Sequence, residues 1–266
     1  MYACRTFHKH ERIMADRLLL QSPFHANRPD SLPLPERSII ERLSPHTSFA
    51  TLEDKVSANQ VRLLECPVAS ATTETGFGVF GVISHVNHCC LGNSEPLFFE
   101  DTGPGWQVLV SAREICAGEE ITFCYAPMMD AAARHAYLRN VYGFSCVCRA
   151  CMQPELRNKL AAIEEHEREI MALSERRETI DAAVAKGYEQ LDLLRELQCS
   201  SRCLARIYYD LFQVAVCKRG NAKVAAQLAA RALEHRVAFV GEEDEEAARY
   251  KLFATRPQAH RNYGLL

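Results

Sequence analysis

The fold of this chain is decided by two cysteine-rich stretches, SHVNHCCLGN at residues 84–93 and YGFSCVCRAC at residues 142–151. The second stretch holds Cys146, Cys148 and Cys151 in a C-x-C-x-x-C pattern, and thiolates at such spacings can converge on one zinc ion. Tetrahedral zinc needs four ligands, so the pattern predicts a zinc site that a residue from elsewhere in the chain completes.

The residue that supplies the fourth zinc ligand stays open at this level. Each candidate carries a thiol or an imidazole, the side chains that zinc prefers. The local sequence admits Cys66, Cys89, Cys90, Cys116, Cys124 and His88.

The first stretch is also dense in polar side chains. Asn87, His88 and Asn93 follow the apolar run GVFGVI. Asparagine and histidine together offer hydrogen-bond donors and acceptors that suit a small polar ligand. Downstream, residues 118–125 read GEEITFCY, which predicts a turn leading into a strand that ends at Tyr125.

Composition excludes several classes of protein. The chain has 266 residues, of which 48% are hydrophobic and 24% charged, so it is neither disordered nor fibrous. Its 31 basic and 34 acidic side chains argue against a general nucleic-acid binder, which needs a basic excess. No apolar run approaches the roughly 20 residues of a membrane span, and the first thirty residues lack the apolar block of a signal peptide.

Cysteine usage and the missing signal peptide together indicate the compartment. The chain has 12 cysteines, which is many for a protein that carries no secretion signal. Paired disulfides are therefore disfavoured, and thiolate–metal chemistry is favoured. The expected location is intracellular, in the nucleus or the cytoplasm.

Proline and glycine divide the chain in two. Every proline except Pro257 lies at or before Pro154. The front part contains the cysteine clusters and the predicted strands 12–20, 107–112 and 120–125, and its proline-rich segment 26–38 reads as an exposed loop. The back part is rich in good helix formers, and apolar stripes at helical spacing predict four helices. These helices lie near residues 160–174, 180–197, 201–217 and 222–240.

Three ordered motifs together carry a family resemblance. The series NHCCLGN, GEEITFCY, YGFSCVCRAC resembles the SET-domain protein lysine methyltransferases that have a cysteine-rich post-SET segment. The clearest match covers roughly residues 79–151. The helical tail is similar to that of SET proteins related to the MYND-finger group, many of them fungal, but this chain contains no MYND finger.

The resemblance implies an α+β architecture in three segments. Residues 1–126 would form the β-rich SET domain, and residues 127–154 the post-SET zinc-binding segment. Residues 155–266 would form an all-helical, tetratricopeptide-like domain. The family's opening G-x-G loop has no counterpart before Arg5. We therefore expect either that this chain begins downstream of that loop or that the protein has lost part of its cofactor cleft.

The resemblance also implies two cofactors and the residues that hold them. S-adenosylmethionine would contact the Asn-His pair and an adenine-stacking phenylalanine, with a looser match at an upstream asparagine. Zinc would be held by the cysteine that follows the Asn-His pair and by the three post-SET cysteines. The implied cofactor residues are Asn87, His88, Asn59, Phe144 and Tyr125, and the implied metal ligands are Cys90, Cys146, Cys148 and Cys151.

The implied reaction is methyl transfer to the ε-amine of a lysine in a protein substrate, a histone or another protein. Tyr125 matches the family's catalytic tyrosine, and Tyr142 matches a second tyrosine of the lysine channel. The alternative is a catalytically impaired SET-fold module that binds a partner protein. The helical tail and the absent G-x-G loop favour this alternative. The chain also departs from the family motif at His85, Cys89 and Gly92, which replace an arginine, a serine and a proline.

Overall fold

A computed structural model describes residues 1–22, 32–43, 51–62, 76–99, 105–126 and 130–266. The chain forms two compact units, Met1–Gln153 and Pro154–Leu266. The first combines strands and helices and the second is helical, so the predicted α+β class with a helical C-terminal part is confirmed. The three segment boundaries expected from the resemblance stay a prediction.

The first unit is built on a curled antiparallel sheet of five strands in the order β2-β3-β1-β6-β5. The long strand β1 pairs with β6 through its first half and with β3 through its second half, with a register shift in each pairing. The strands of the unit are β1 (Arg12–Ser22), β2 (Val61–Arg62), β3 (Phe77–Phe80), β4 (Asn87–His88), β5 (Ser94–Phe99), β6 (Trp106–Ser111) and β7 (Thr122–Phe123).

The third predicted strand is shorter than expected. Residues 120–125 contribute only β7, which pairs in parallel with β4, and one isolated bridge from Glu120 to Tyr2. The preceding segment is held by the N-terminal residues instead, since Ala3 N–H donates to the Glu119 carbonyl and Ile121 N–H donates to the Met1 carbonyl, both at 2.9 Å. The GEEI segment is thereby fixed between the N-terminus and the Asn-His segment.

The expectation of an exposed loop over residues 26–38 is wrong for its second half, and residues 26–31 lie outside the described part of the chain. Helix α1 (Leu34–Glu41) begins after Pro33 and carries a second proline in its first turn. Proline is accepted there because the first backbone N–H groups of a helix have no partner within it. Ile40 and Leu43 are buried, which anchors the helix to the unit.

Three further helices belong to the first unit, and the last of them carries one of the clustered cysteines. Helix α2 (Leu52–Asn59) begins with a capping box between Thr51 and Asp54. Helix α3 (Ala131–Tyr142) ends at Gly143, whose left-handed φ of 71° turns the chain toward the cysteines. Helix α4 (Arg149–Met152) is a single turn that contains Cys151.

The second unit contains the four predicted helices and one more. They are α5 (Pro154–Ser174), α6 (Ile180–Glu196), α7 (Ser201–Val216), α8 (Ala222–Val240) and α9 (Glu245–Thr255). The sequence analysis missed α9 because only Ala247 and Tyr250 are buried along it, which leaves a weak apolar stripe. Within the described residues, we find no helix that combines the length and the apolar character needed to cross a bilayer.

Candidate functional site

Four cysteine thiols of the first unit converge on one point. The Sγ atom of Cys90 lies 3.9 Å from that of Cys146 and 3.5 Å from that of Cys151, and the Sγ atoms of Cys148 and Cys151 are 3.7 Å apart. All four sulfur atoms lie within 4.8 Å of one another. Zinc–sulfur bonds of about 2.3 Å in a tetrahedron place sulfurs about 3.8 Å apart. The four thiols therefore fit a zinc ion.

Local backbone structure brings these cysteines together. Cys90 follows β4, and the other three lie on the turn and short helix after Gly143. The N–H of Cys148 donates to Cys146 Sγ at 3.5 Å. Hydrogen bonds from the thiols of Cys89 and Cys90 hold the pKa of Cys148 well below its usual range. Zinc binds thiolates, so this low pKa favours metal binding.

The other candidates for the fourth ligand stand outside this cluster. Cys116 is exposed, and Cys66 lies outside the described residues. Cys89 lines the neighbouring cleft and hydrogen-bonds to Cys148, and His88 contacts the sulfur of Cys90. Neither of these residues nor Cys124 belongs to the group of four. Among the described residues, the group of four comprises Cys90, Cys146, Cys148 and Cys151, the set that the resemblance implies.

A cleft of about 540 Å³ opens beside the cluster. Its volume falls in the range of roughly 300–1,000 Å³ that is typical of small-molecule sites. The lining brings together four of the predicted cofactor or catalytic residues with several charged and apolar ones. The lining residues are Asn87, His88, Cys89, Leu91, Asn93, Arg113, Glu119, Glu120, Thr122, Tyr125, Phe144, Val147, Cys148 and Arg149.

His88 stands between the cleft and the cluster. Its Nδ1 accepts a hydrogen bond from the backbone N–H of Tyr125 at 3.1 Å, and its Nε2 lies 3.4 Å from Cys90 Sγ. Burial lowers the pKa of the imidazole to about 4, against the opposing charge of Cys148. The ring is therefore neutral near pH 7 and carries one proton.

Tyr125 closes the cleft at the end of β7. Its hydroxyl donates to the carbonyl of Val86, and its ring lies 5.2 Å from the His88 ring and 4.8 Å from the Tyr142 ring. Burial raises the pKa of the phenol, and the nearby Glu120 carboxylate adds to the shift. The hydroxyl therefore stays protonated and can act as a hydrogen-bond donor.

Two residues implied by the resemblance lie outside the cleft lining. Tyr142 is buried beside Tyr125, and its hydroxyl donates to the carbonyl of Gln60 at 3.0 Å. Asn59 is the last residue of α2, and its amide donates to the carbonyl of Lys55 at 2.8 Å. The Asn59 amide is therefore engaged by the backbone of its own helix.

Gly92 and Asn93 hold their segment against residues 120–123 through contacts that the sequence analysis did not predict. A β-carbon at Gly92 would lie 2.6 Å from the Cα of Phe123, so only glycine fits against β7. Asn93 is buried; its amide donates to the Glu120 carbonyl at 2.8 Å, and its oxygen accepts from Thr122 N–H at 2.9 Å. Gly92 therefore permits a close approach of the two backbone segments that a side chain would block.

The sequence analysis also did not predict that Glu119, Glu120 and His135 lie at the site. The Asn87 amide donates to Glu120 Oε1 at 2.7 Å, and Glu119 pairs with Arg113 at 2.6 Å. The GEEI motif itself is the signal that could have identified both carboxylates. His135 Nε2 lies 3.2 Å from Cys151 Sγ, and no spacing in the sequence points to that contact.

Comparisons with known proteins find similarity to the SET domain and to protein methyltransferases. Residues 1–126 match the family model described as SET domain. The chain is 40% identical over 79 residues to histone-lysine N-methyltransferase SMYD3 of Mus musculus, which covers 29% of this chain and 18% of that protein. It is 36% identical over 77 residues to protein-lysine N-methyltransferase SMYD4 of Homo sapiens, covering 28% of this chain and 9% of that protein.

Two more distant similarities complete the comparison. A protein named "Methyltransferase" from Gibberella zeae is 25% identical over 144 residues, 49% of this chain and 18% of that protein. This chain thus spans less than a fifth of the length of these relatives. A solved structure described as ctPRC2 in an autoinhibited conformation bound to S-adenosylmethionine covers 94% of this chain and 31% of its own, at 15% identity and a TM-score of 0.30.

Proposed function

We propose that this chain, whose residues 1–126 are a SET domain, transfers a methyl group from S-adenosylmethionine to the ε-amine of a lysine in a protein. One observation carries the proposal. A single cleft collects Asn87, His88, Tyr125 and Phe144, directly beside the four converging thiols. These are the residue types that the reaction requires, in the domain whose named relatives are lysine methyltransferases.

The cleft offers complementary surfaces for the cofactor. S-adenosylmethionine supplies, when bound, a methyl group on a positively charged sulfur. Phe144 presents an aromatic ring for the adenine, and Asn87 and Glu120 present an amide and a carboxylate for the polar and cationic parts. Arg113 and Arg149 at the same cleft offer guanidinium groups to a carboxylate.

Aromatic side chains prepare the lysine for attack. The free amine has a pKa near 10.4, so only about one in a thousand is neutral at pH 7. The rings of Phe123, Tyr125 and Tyr142 pack together, at 5.0 Å and 4.8 Å from centroid to centroid, and an apolar wall of this kind disfavours the ammonium form. We propose that the protonated Tyr125 hydroxyl orients the amine lone pair.

A zinc ion has a structural part in this proposal. Cys90, Cys146, Cys148 and Cys151 would hold it, since their sulfur–sulfur distances match a tetrahedron. The ion would fasten the post-SET segment, and with it Phe144, to the strand that carries Asn87 and His88. The expected protein substrate is lysine-bearing, and a histone is one suitable test substrate.

A calorimetric titration of the zinc-loaded chain with S-adenosylmethionine tests the function. We expect saturable binding that Asn87→Ala weakens about tenfold, because one hydrogen bond of about 1.4 kcal/mol is lost. Asn158→Ala, at an exposed position of α5, is the matched control and should leave the affinity unchanged. Absence of binding at millimolar cofactor would contradict the proposal and favour a SET-fold interaction module.

A further inference from the structure

A second cavity, of about 520 Å³, lies within the helical unit. Its volume also falls in the range of roughly 300–1,000 Å³ that is typical of small-molecule sites. The proposed methyl transfer makes no use of it. Three helices supply its lining: Tyr188 and Arg195 come from α6, Tyr208 from α7, and Gln227, Ala230, Arg231 and Glu234 from α8.

Helical spacing places polar side chains of two helices along this cavity. Tyr188 and Arg195 are seven residues apart on α6, which is two turns, and Gln227, Arg231 and Glu234 follow one another at intervals of four and three on α8. Such intervals put side chains on one face of a helix. The cavity is therefore lined by one face of α6 and one face of α8.

The guanidinium group of Arg195 is held in a fixed position. Its Nη1 donates to Asp192 Oδ1 at 2.6 Å, and its Nη2 donates to the hydroxyl of Tyr208. Tyr208 is buried, and its ring stacks on the ring of His235 at 5.5 Å. A ligand that binds Arg195 therefore meets a group that needs little further ordering.

The second cation, Arg231, comes from the opposite helix. Its Nη1 donates to Glu234 Oε2 at 2.6 Å, and both side chains are exposed, so the pair is weak and an incoming anion can replace it. Burial raises the pKa of the Tyr188 phenol and Tyr208 adds to the shift, while the charges of Arg231 and Arg195 oppose it. Both cations thus lie close enough to act on one ring.

Charge decides the class of ligand. Among the described residues that line the cavity, two arginines stand against one carboxylate, that of Glu234, so an anion is favoured. Each arginine already has a carboxylate neighbour, and a further single carboxylate would only replace like with like. A phosphate monoester carries roughly −1.5 to −2 charges at pH 7 and three acceptor oxygens, so it can accept from both guanidinium groups at once.

We propose that this cavity binds a nucleoside monophosphate, with its phosphate on Arg195 and Arg231 and its base on the ring of Tyr188. The Tyr188 side chain is 41% exposed although it is a large aromatic group. Stacking on such a ring tolerates every base. Gln227 offers an amide that both donates and accepts hydrogen bonds at the edge of a base. The inference depends neither on zinc nor on methyl transfer.

Calorimetric titration of the full chain with adenosine 5′-monophosphate tests the proposal. S-adenosylmethionine is present throughout, so that the cleft of the first unit is occupied. We expect saturable binding of one nucleotide per chain. Adenosine and inorganic phosphate should each bind at least about tenfold more weakly, because each keeps only part of the contacts.

Three variants locate the nucleotide. Arg231→Gln should weaken its binding at least about tenfold, because a charge-assisted hydrogen bond is lost. Arg168→Gln is the matched control, since Arg168 forms an equally exposed pair with Glu165 three residues away on α5. Tyr188→Leu should weaken the binding of the nucleotide about tenfold and leave that of inorganic phosphate unchanged.

A fourth variant should act in the opposite direction. Glu234→Gln removes the carboxylate of the lining and the partner of Arg231, so the nucleotide should bind at least about threefold more tightly. Damage to the helical unit would weaken binding and cannot produce this gain. Weaker binding by Glu234→Gln would therefore contradict the proposed contact of the phosphate with Arg231.

The inference is overturned by the absence of saturable binding at millimolar nucleotide, or by equal effects of Arg231→Gln and Arg168→Gln. Binding that Asn87→Ala weakens and Arg231→Gln leaves unchanged would also overturn it, because the nucleotide would then occupy the cleft of the first unit. Equal affinity for inorganic phosphate and the nucleotide would remove the base from the proposal.

Discussion

Tyr125 lines the cleft with a protonated hydroxyl. Three independent contacts hold the residue in place. Its backbone bonds to His88, its hydroxyl to the carbonyl of Val86, and its ring packs on Tyr142. Substitution of the hydroxyl alone therefore leaves two of the three supports intact. The proposed catalytic role can be tested without dismantling the site.

Tyr125→Phe should lower the rate constant of methyl transfer about 100-fold, because the amine loses the group that orients it. The affinity for S-adenosylmethionine should change by less than about threefold, since the ring remains in the cleft wall. Single-turnover kinetics with labelled cofactor measure the rate, and Tyr2→Phe at an exposed position is the control. An unchanged rate would remove Tyr125 from the mechanism.

His260 of the second unit is a buried imidazole that should make stability depend on pH. It lies edge-on to Phe212 and Phe253, each at 5.1 Å, and burial lowers its pKa, with the charge of Arg261 adding to the shift. The unfolded chain, with a pKa near 6.5, then binds the proton more readily than the folded one. Stability should be full above that pH and decline as the pH falls below it.

Urea unfolding at several pH values, followed by circular dichroism of the helices, measures this dependence. His260→Gln should reduce the loss of stability between about pH 7 and pH 5. His8→Gln, at a histidine whose side chain is 81% exposed, should leave the loss unchanged. A pH dependence that is identical in the wild type and His260→Gln would contradict the prediction.

At the scale of elements, α8 and α9 are joined by a buried ion pair. Arg236 reaches Asp244 through two hydrogen bonds of 2.9 and 3.0 Å, and Asp244 also caps α9 by accepting from Ala247 N–H at 2.9 Å. Both side chains are almost fully buried. Arg236 also pairs with Glu246 at 3.0 Å, so removal of the Asp244 charge leaves the buried guanidinium only partly compensated.

Asp244→Asn should therefore lower the free energy of unfolding by about 3 kcal/mol. Asp192→Asn is the matched control, because the Asp192 side chain is 71% exposed in its pair with Arg195 and exposed pairs contribute about 0–1 kcal/mol. Chemical unfolding followed by circular dichroism compares the two variants. Equal effects would contradict the prediction, because the buried pair would then contribute no more to stability than the exposed one.

The sequence predicted contacts between residues that are near one another in the chain better than contacts between distant residues. Cys146, Cys148 and Cys151 are close in the chain, so their spacing alone predicted a metal site. Cys90 lies 56 residues before Cys146, and only the family resemblance joined the two. The contacts of Gly92, Asn93 and His135 depend on backbone brought together by tertiary folding, and no local pattern encodes them.

Helices illustrate the same limit. The apolar stripes of α5 to α8 predicted those helices, whereas α9 buries too few side chains to leave a pattern. The prolines at the start of α1 suggested a loop, although the first turn of a helix accepts them. Asn59 and Tyr142 match family positions in the sequence, but nearby carbonyls of Lys55 and Gln60 hold their side chains.

At the scale of the whole molecule, residues 1–126 match the SET-domain family model and lie ahead of a helical unit in the chain. The match agrees with the resemblance drawn from the first two motifs, which lie within those residues. The aligned relatives extend well beyond the length of this chain. The central claim is therefore narrower than the activity of a whole relative: the cleft beside the cysteine cluster binds S-adenosylmethionine.

Thermal unfolding of the zinc-loaded chain with and without S-adenosylmethionine tests that claim most directly. The single tryptophan, Trp106 on β6, reports on the SET domain by fluorescence. A cofactor concentration of 100 times the dissociation constant should stabilise the domain by about 2.7 kcal/mol, a rise of about 5 to 10 °C that Asn87→Ala reduces. An unchanged melting temperature at millimolar cofactor, in a protein that a zinc chelator still destabilises, would contradict the account.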